Sequence, residues 1–302
     1  MTQQGAVTLV CPVCRGRLTR DDSGWTCGSC ARAFVSSPDG HSDFLVGSGF
    51  ADQEDVERGL HEEKTATVTV EGYLIPLLRR LFACTDPRGI KVLDVGCGVA
   101  KSVDLLRDAG YDAWGVDSGH RVSHWARRRY REHLVLANGQ AMPFPDGSFD
   151  FIFCAGVIEH VGCEGDARHP SPGYEEERLK FGSECVRVAR KGGYLNFTCP
   201  NRLFPIDLWH RNTEMNPFRF HWPWDPFLFS KGDFKRLFVG KCGCASVGDA
   251  PIRGYWGFLR LNRTVLERMG CRAARLWFDT IGSWPLTRGS FANPWLSVLI
   301  RK

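Results

Sequence analysis

The stretch 90–110 constrains this chain more than any other. Residues 90–95 form an apolar run with the length and composition of a buried β-strand. Asp94 sits near its end, and Gly96 and Gly98 follow at once. Both glycines can turn tightly and let backbone approach a ligand with no Cβ in the way. Residues 103–109 then read as a helix, with Leu105 and Leu106 apolar and Gly110 stopping it. Strand, glycine loop and helix in that order make a nucleotide-type site, because free N–H groups at the helix start face the loop.

The dinucleotide fingerprint asks for a third glycine three residues after the second. Lys101 stands there, which counts against a pyrophosphate. Asp94 precedes the first glycine by two, and a carboxylate there suits a ligand with an ammonium group. Asp117, twenty-three residues on, ends a second strand-like run and can accept hydrogen bonds from both ribose hydroxyls. Ammonium plus ribose, without pyrophosphate, points to S-adenosylmethionine.

Asp94 to Gly98, Gly115 to Asp117 and the run from Met142 to Asp150 resemble the class I S-adenosylmethionine-dependent methyltransferases. The small-molecule, type 11-like subgroup matches best. Val157 to Val161 and Arg190 to Leu195 continue the match in order, so the resemblance covers roughly residues 71–200 well and the C-terminal third in outline. It implies an α/β fold: a doubly wound, Rossmann-like sheet of seven strands in the order 3-2-1-4-5-7-6. It also implies cofactor contacts from Asp94, Gly96, Cys97, Gly98, Asp117, Ser118, Asn138, Gly139, Gln140, Ala141 and Cys154. At Asn138 the family usually carries an acidic residue that meets the adenine amino group; the asparagine carbonyl can accept the same bond. The competing reading is a nicotinamide-binding or purely structural sheet.

Upstream, Cys11 and Cys14, then Cys27 and Cys30, form two CxxC pairs twelve residues apart, with the spacing of a tetrahedral zinc site. Zinc would supply the folding energy that so small a module cannot draw from a core. The pattern resembles a zinc ribbon; four thiolates leave no open position, so the zinc is structural. A redox dithiol pair or accidental spacing are the alternatives. The chain thus divides into a ribbon over 1–45, a linker and N-terminal helices over 46–89, and a methyltransferase domain over 90–302 with an aromatic cap insertion about 200–248. Residues 36–55 read as a partly mobile linker and residues 56–82 as mainly helical.

Bulk properties add little. A net charge of +5 neither demands nor excludes nucleic acid, and 43% hydrophobic residues suffice for a core. Most of the thirteen cysteines stand singly in apolar or glycine-rich segments, as free thiols in a reducing compartment do. Residues 1–10 lack the basic start and apolar core of a signal peptide, and no apolar run approaches membrane-helix length, so a cytoplasmic protein with no membrane span is expected.

Residues 120–133 read as a basic helix carrying Arg127, Arg128, Arg129 and Arg131, either a solvated face or a phosphate-binding patch. Residues 134–136, 149–154, 193–198, 273–280 and 295–301 read as further strands. Residues 174–189 and 255–269 read as helices. Neither an Asn/Asp-Pro-Pro-Tyr/Phe tetrapeptide nor a Pro-Cys nucleophile is present, which weighs against nucleobase methylation. His160, just past the strand 149–154, is a candidate general base or a packing residue. Tyr73, Glu159, His160, Asn201, Phe204 and Trp209 are the candidate acceptor-binding residues. Trp209, Phe218, Phe220, Trp222, Trp224, Phe227, Phe229 and Phe234 concentrate in 204–238, and such a belt should cover something: its own sheet, an apolar acceptor, or stacked RNA bases.

The expectation is methyl transfer to a small, partly apolar or aromatic acceptor in natural-product, quinone or envelope metabolism. The alternatives are an RNA methyltransferase whose ribbon binds rRNA or tRNA, and a non-catalytic module whose ribbon recruits a partner protein.

Overall fold

The computed structural model describes residues 7–22, 24–46, 49, 51–52, 55–83, 86–164, 168–210, 219–255 and 265–302. The chain opens on a three-stranded antiparallel sheet of β1 (Leu18–Asp21), β2 (Gly24–Cys27) and β3 (Ala33–Val35), followed by β4 (Ser42–Asp43). Residues 36–46 are less free than a linker reading suggests. Phe44 is buried against Trp25 and Phe34, at ring separations of 5.8 and 5.1 Å, and Trp25 Nε1 donates to Ser42 Oγ at 3.2 Å.

Next come α1 (Val56–Thr69), a wider turn (Val70–Leu74) and α2 (Ile75–Phe82), as the sequence leads one to expect. The alternation then begins: β5 (Lys91–Val95), α3 (Lys101–Asp108), β6 (Asp112–Asp117), β7 (Leu134–Leu136), β8 (Phe149–Ala155), α4 (Tyr174–Val188) and β9 (Ala189–Pro200). A short hairpin of β10 (Ile206–Asp207) and β11 (Arg219–Phe220) precedes α5 (Lys231–Phe234), β12 (Ser246–Asp249), α6 (Val265–Ser283) and β13 (Trp295–Arg301).

The main sheet runs β12-β13-β9-β8-β5-β6-β7-β4. Strands β5 to β9 are mutually parallel, and β13 lies antiparallel between β9 and β12. Leaving β4 aside, this is the expected order 3-2-1-4-5-7-6. β4 adds an eighth strand by pairing in parallel with β7. The two faces are buried by period-two alternation. Leu93, Val95, Ile152 and Cys154 join the core under α4, whereas Val92, Phe151 and Phe153 join the core under α2 and α3. Single free thiols at Cys97, Cys154, Cys185 and Cys199 fill these interiors as small apolar groups.

Three expectations are corrected. Residues 273–280 lie inside α6, and the strand taken from them is instead β12. Residues 120–133 form two short 3-10 turns, Val122–Arg127 and Arg131–His133, and no α-helix. Their arginines are mostly engaged: Arg128 pairs with Glu63, Arg129 with Asp108, and Arg127 meets His124 Nδ1 at 2.6 Å. The aromatic belt also divides. Phe227, Phe229 and Phe234 enter the core, but Phe220, Trp222 and Trp224 stay exposed, the two indoles stacked at 5.3 Å. Phe218, and 256–264 of the helix expected over 255–269, lie outside the described residues.

Candidate active site

Five loops converge at the carboxyl edge of the parallel strands, following β5, β6, β7, β8 and β9. β5 delivers Asp94, only 5% exposed, and the neighbouring β6 delivers Asp117, 9% exposed. The glycine loop crosses between them. Gly96 N–H donates to Val116 O at 2.8 Å, and Gly98 N–H donates to Asp117 Oδ2 at 2.9 Å. Asp117 Oδ1 accepts from Gly119 N at 3.1 Å, while Gly98 O accepts from the buried Trp125 Nε1 at 2.7 Å. Gly96 adopts φ 77°, and a Cβ there would overlap Val157; Gly98 adopts φ 51°, and a Cβ there would project into open space. The loop is therefore braced on one side and open on the other.

The electrostatics suit a cationic ligand. Burial pushes the Asp94 carboxyl up to about 7; the Ser102 hydroxyl bond opposes this, and the Asp117 charge adds to it. A carboxylate held this way is ionised at low cost only beside a positive group. The ammonium and sulfonium of S-adenosylmethionine would meet that need, and Asp117 retains acceptor capacity for a ribose hydroxyl. The residues present thus fit the cofactor.

Asn138 Oδ1 accepts from Gln140 N–H at 2.9 Å, so one of its two acceptor sites shapes its own turn. Gly139 packs on Phe181, since a Cβ there would lie 2.7 Å from that ring. Ala141 precedes Met142, whose N–H donates to Glu184 Oε1 at 2.7 Å. Ser118 is half-buried beside Asp117, and Cys97 and Cys154 are buried thiols held protonated by their apolar surroundings.

On the acceptor side the expected residues separate. Tyr73 lies in the core, its hydroxyl 2.6 Å from Ser297 Oγ and 2.9 Å from Asn196 Oδ1, so it packs the sheet and does not open onto a pocket. Asn201 is likewise committed: its Nδ2 donates to Ser290 O at 2.8 Å and to Asn293 O at 2.7 Å. Trp209 rests on Trp295 at 4.3 Å, and Phe204 is half-buried. Glu159 and His160, in the turn after β8, come together with two residues the sequence did not single out as site residues, Asp207 and His210. His160 Nε2 lies 3.1 Å from His210 Nε2, and His210 Nδ1 donates to Asp207 Oδ2 at 2.8 Å. Burial pushes the Glu159 carboxyl up to about 7, partly opposed by His210. The available signal was Asp207-x-x-His210, one turn apart in an aromatic segment, but nothing local ties it to His160.

At the N-terminal module, Cys11, Cys14, Cys27 and Cys30 place their sulfurs within 4.8 Å of one another. The pairs Cys11–Cys30 and Cys14–Cys27 are 3.8 and 3.4 Å apart. Four sulfurs at about 2.3 Å from one zinc lie about 3.8 Å apart, so the cluster fits a tetrahedral ion. The module docks on the domain: Arg15, at φ 63°, forms a two-pronged pair with Glu184 at 3.0 and 3.1 Å and donates to Met142 O at 3.1 Å.

The family profile described as a methyltransferase domain matches residues 93–197. Among curated proteins, the chain is 32% identical over 131 residues to a probable S-adenosylmethionine-dependent methyltransferase of Mycolicibacterium smegmatis, 43% of this chain and 45% of that one. It is 30% identical over 146 residues to a fatty-acid O-methyltransferase of the same species, 46% and 47% of the two chains. It is also 28% identical over 144 residues to a probable 18S rRNA (guanine-N(7))-methyltransferase of Dictyostelium discoideum, 46% and 49%. The chain thus spans less than half the length of each of these relatives. The matched region carries the glycine loop, both aspartates and the β8 turn, so the residues expected to contact the cofactor lie within the stretch that matches a methyltransferase domain.

Proposed function

We propose that the chain transfers the methyl group of S-adenosylmethionine to an oxygen, nitrogen or carbon of a small, partly apolar acceptor. The observation that carries this is the pairing of two buried carboxylates, Asp94 and Asp117, on adjacent parallel strands around a glycine loop that one of them ties down. In this reading Asp94 takes the ammonium end and Asp117 the ribose. Gly96, Cys97, Gly98 and Ser118 border the donor, the 138–141 turn borders adenine, and Cys154 closes the floor. When bound, the cofactor supplies an electrophilic methyl carbon, so the protein's main task is to hold an acceptor in line with it and exclude water.

The acceptor side is the turn after β8 together with His210, walled by Phe227, which lies 5.2 Å from His160 and 4.8 Å from His210. In this reading His160 borders the acceptor's reacting atom, with His210 and Asp207 orienting it. An apolar acceptor is favoured because the surrounding wall is aromatic, and because the arginines of 127–129 pair with protein groups. We further assign residues 1–45 to a structural zinc ribbon that docks on the adenine-side loop, residues 46–89 to the linker and N-terminal helices, and residues 90–302 to the methyltransferase domain.

Incubating cell extract with methyl-labelled S-adenosylmethionine and the full chain, then identifying the labelled product, tests this. A labelled small molecule dependent on Asp94 supports the reading. Label only in RNA or protein would overturn the acceptor class.

A further inference from the structure

Two imidazole nitrogens that face each other at 3.1 Å have two explanations. One neutral ring donates its N–H to the other, or both lone pairs converge on a shared ion. Four observations around His160 and His210 favour the second. First, one oxygen of Glu159 and one nitrogen of each imidazole all lie within 4.8 Å of one another. At a metal–nitrogen distance of about 2.05 Å, nitrogens 3.1 Å apart subtend roughly 98°, between octahedral and tetrahedral. Second, Glu159 is 0% exposed, and among the described residues neither of its carboxylate oxygens has a hydrogen-bond partner. A buried carboxylate without a donor is costly unless a positive charge compensates it.

Third, the nearby cation Arg178 is spent elsewhere. Its donors go to the backbone oxygens of Val161, Pro226, Phe227 and Glu159 itself, at 2.7–3.1 Å. Fourth, His210 Nδ1–H is fixed on Asp207, which directs the Nε2 lone pair toward His160. A ligating histidine almost always makes such a bond from its other nitrogen. Asp207 is itself held by the N–H groups of Trp209 and His210 at 3.0 and 3.1 Å.

We propose that Glu159, His160 and His210 hold a divalent first-row transition cation, separate from the ion of the four-cysteine cluster. Two imidazoles and one carboxylate suit zinc, manganese or ferrous ion better than magnesium or calcium. Three protein ligands leave open positions. If the methyl-transfer reading also holds, an acceptor oxygen bound there loses its proton to solvent more readily, so the cation and not His160 activates it. Cation binding itself does not depend on that reading.

The test is metal content of the dialysed full-length protein after zinc loading, by mass spectrometry, together with the visible spectrum after cobalt substitution. Two equivalents are expected, with sulfur-to-cobalt bands from one site and weaker nitrogen/oxygen bands from the other. His210→Ala and Glu159→Gln should each retain one equivalent and the sulfur bands. Cys14→Ser should lose the sulfur bands only. A single equivalent that His210→Ala leaves intact overturns the proposal, as does a second equivalent that survives both variants. A single equivalent lost in His210→Ala but kept in Cys14→Ser supports this site and removes the ribbon ion instead. Should His210→Ala fail to fold, the cobalt-substituted wild type decides, since absence of nitrogen/oxygen bands there overturns it.

Discussion

Replacing Asp94 by asparagine should stabilise the free protein and weaken its grip on the donor. The carboxyl is held at about 7 against an ordinary 3.8, with burial as the main cause. Three pKa units at about 1.4 kcal/mol each make this a penalty of about 4 kcal/mol. The sign follows from the direction of the shift. Below about pH 4 the group is protonated in both folded and unfolded chains, and no penalty applies. As pH rises toward 7 the unfolded chain releases the proton more readily, and above 7 the folded state carries the full cost. An amide of the same shape never ionises and keeps the Ser102 hydroxyl bond. Urea unfolding should therefore show Asp94→Asn more stable than wild type by up to about 4 kcal/mol at pH 8, with the difference shrinking toward pH 4. The amide cannot answer an ammonium, so calorimetry should show S-adenosylmethionine binding weakened between roughly tenfold and a hundredfold, the worth of one charge-assisted bond. Saturating donor should then stabilise wild type far more than the variant. A variant less stable than wild type at pH 8, or one that binds the donor unchanged, would refute the reasoning.

Further outcomes follow from the same geometry. Wild-type affinity for S-adenosylmethionine should fall by up to about tenfold per unit as pH drops below 7, because only ionised Asp94 answers the ammonium; calorimetry across pH 5–8 reads this, and a flat profile would count against it. Arg15→Ala should leave metal content intact yet reduce donor affinity several-fold, since it leaves Arg187 as the one guanidinium holding Met142 O and Glu184 beside the adenine-side loop. Removing metal with a chelator should add a loss of thermal stability, and unchanged affinity in both cases would disconnect the ribbon from the site. Tyr73→Phe should cost about 1–3 kcal/mol in urea unfolding, from stranded Asn196 and Ser297 groups, with the acceptor KM unchanged. A raised KM at full stability would return Tyr73 to the acceptor pocket.

What could be read from the sequence depended on locality. The strand of Val92 to Val95, its glycines and the four cysteines carry their chemistry within a few residues, so pattern alone placed them. β8, β9 and β13 were legible for a related reason: buried on both faces over most of their length, they are rich in apolar residues, in β9 from Leu195 on. β12 was not, because Ser246–Asp249 is a short edge strand in which only Val247 is buried. The apolar run at 273–280 misled in the opposite direction, because a short run of that kind suits a helix as well as a strand. The basic segment 120–133 looked helical, yet its path is set by Asp104 accepting from the N–H of Arg129 and by Glu62 and Glu63 on α1 pairing with Arg121 and Arg128. None of those partners is local. The same holds for His160 and His210, fifty residues apart and joined only when the β10 segment folds over the β8 turn.

Calorimetric titration of the intact chain with S-adenosylmethionine, run beside Asp94→Ala and Asp117→Ala, addresses the central assignment most directly. Saturable binding at one site per chain, weakened at least tenfold by either substitution, is expected. No measurable heat from a folded wild-type protein, or equal affinity in all three, would contradict it.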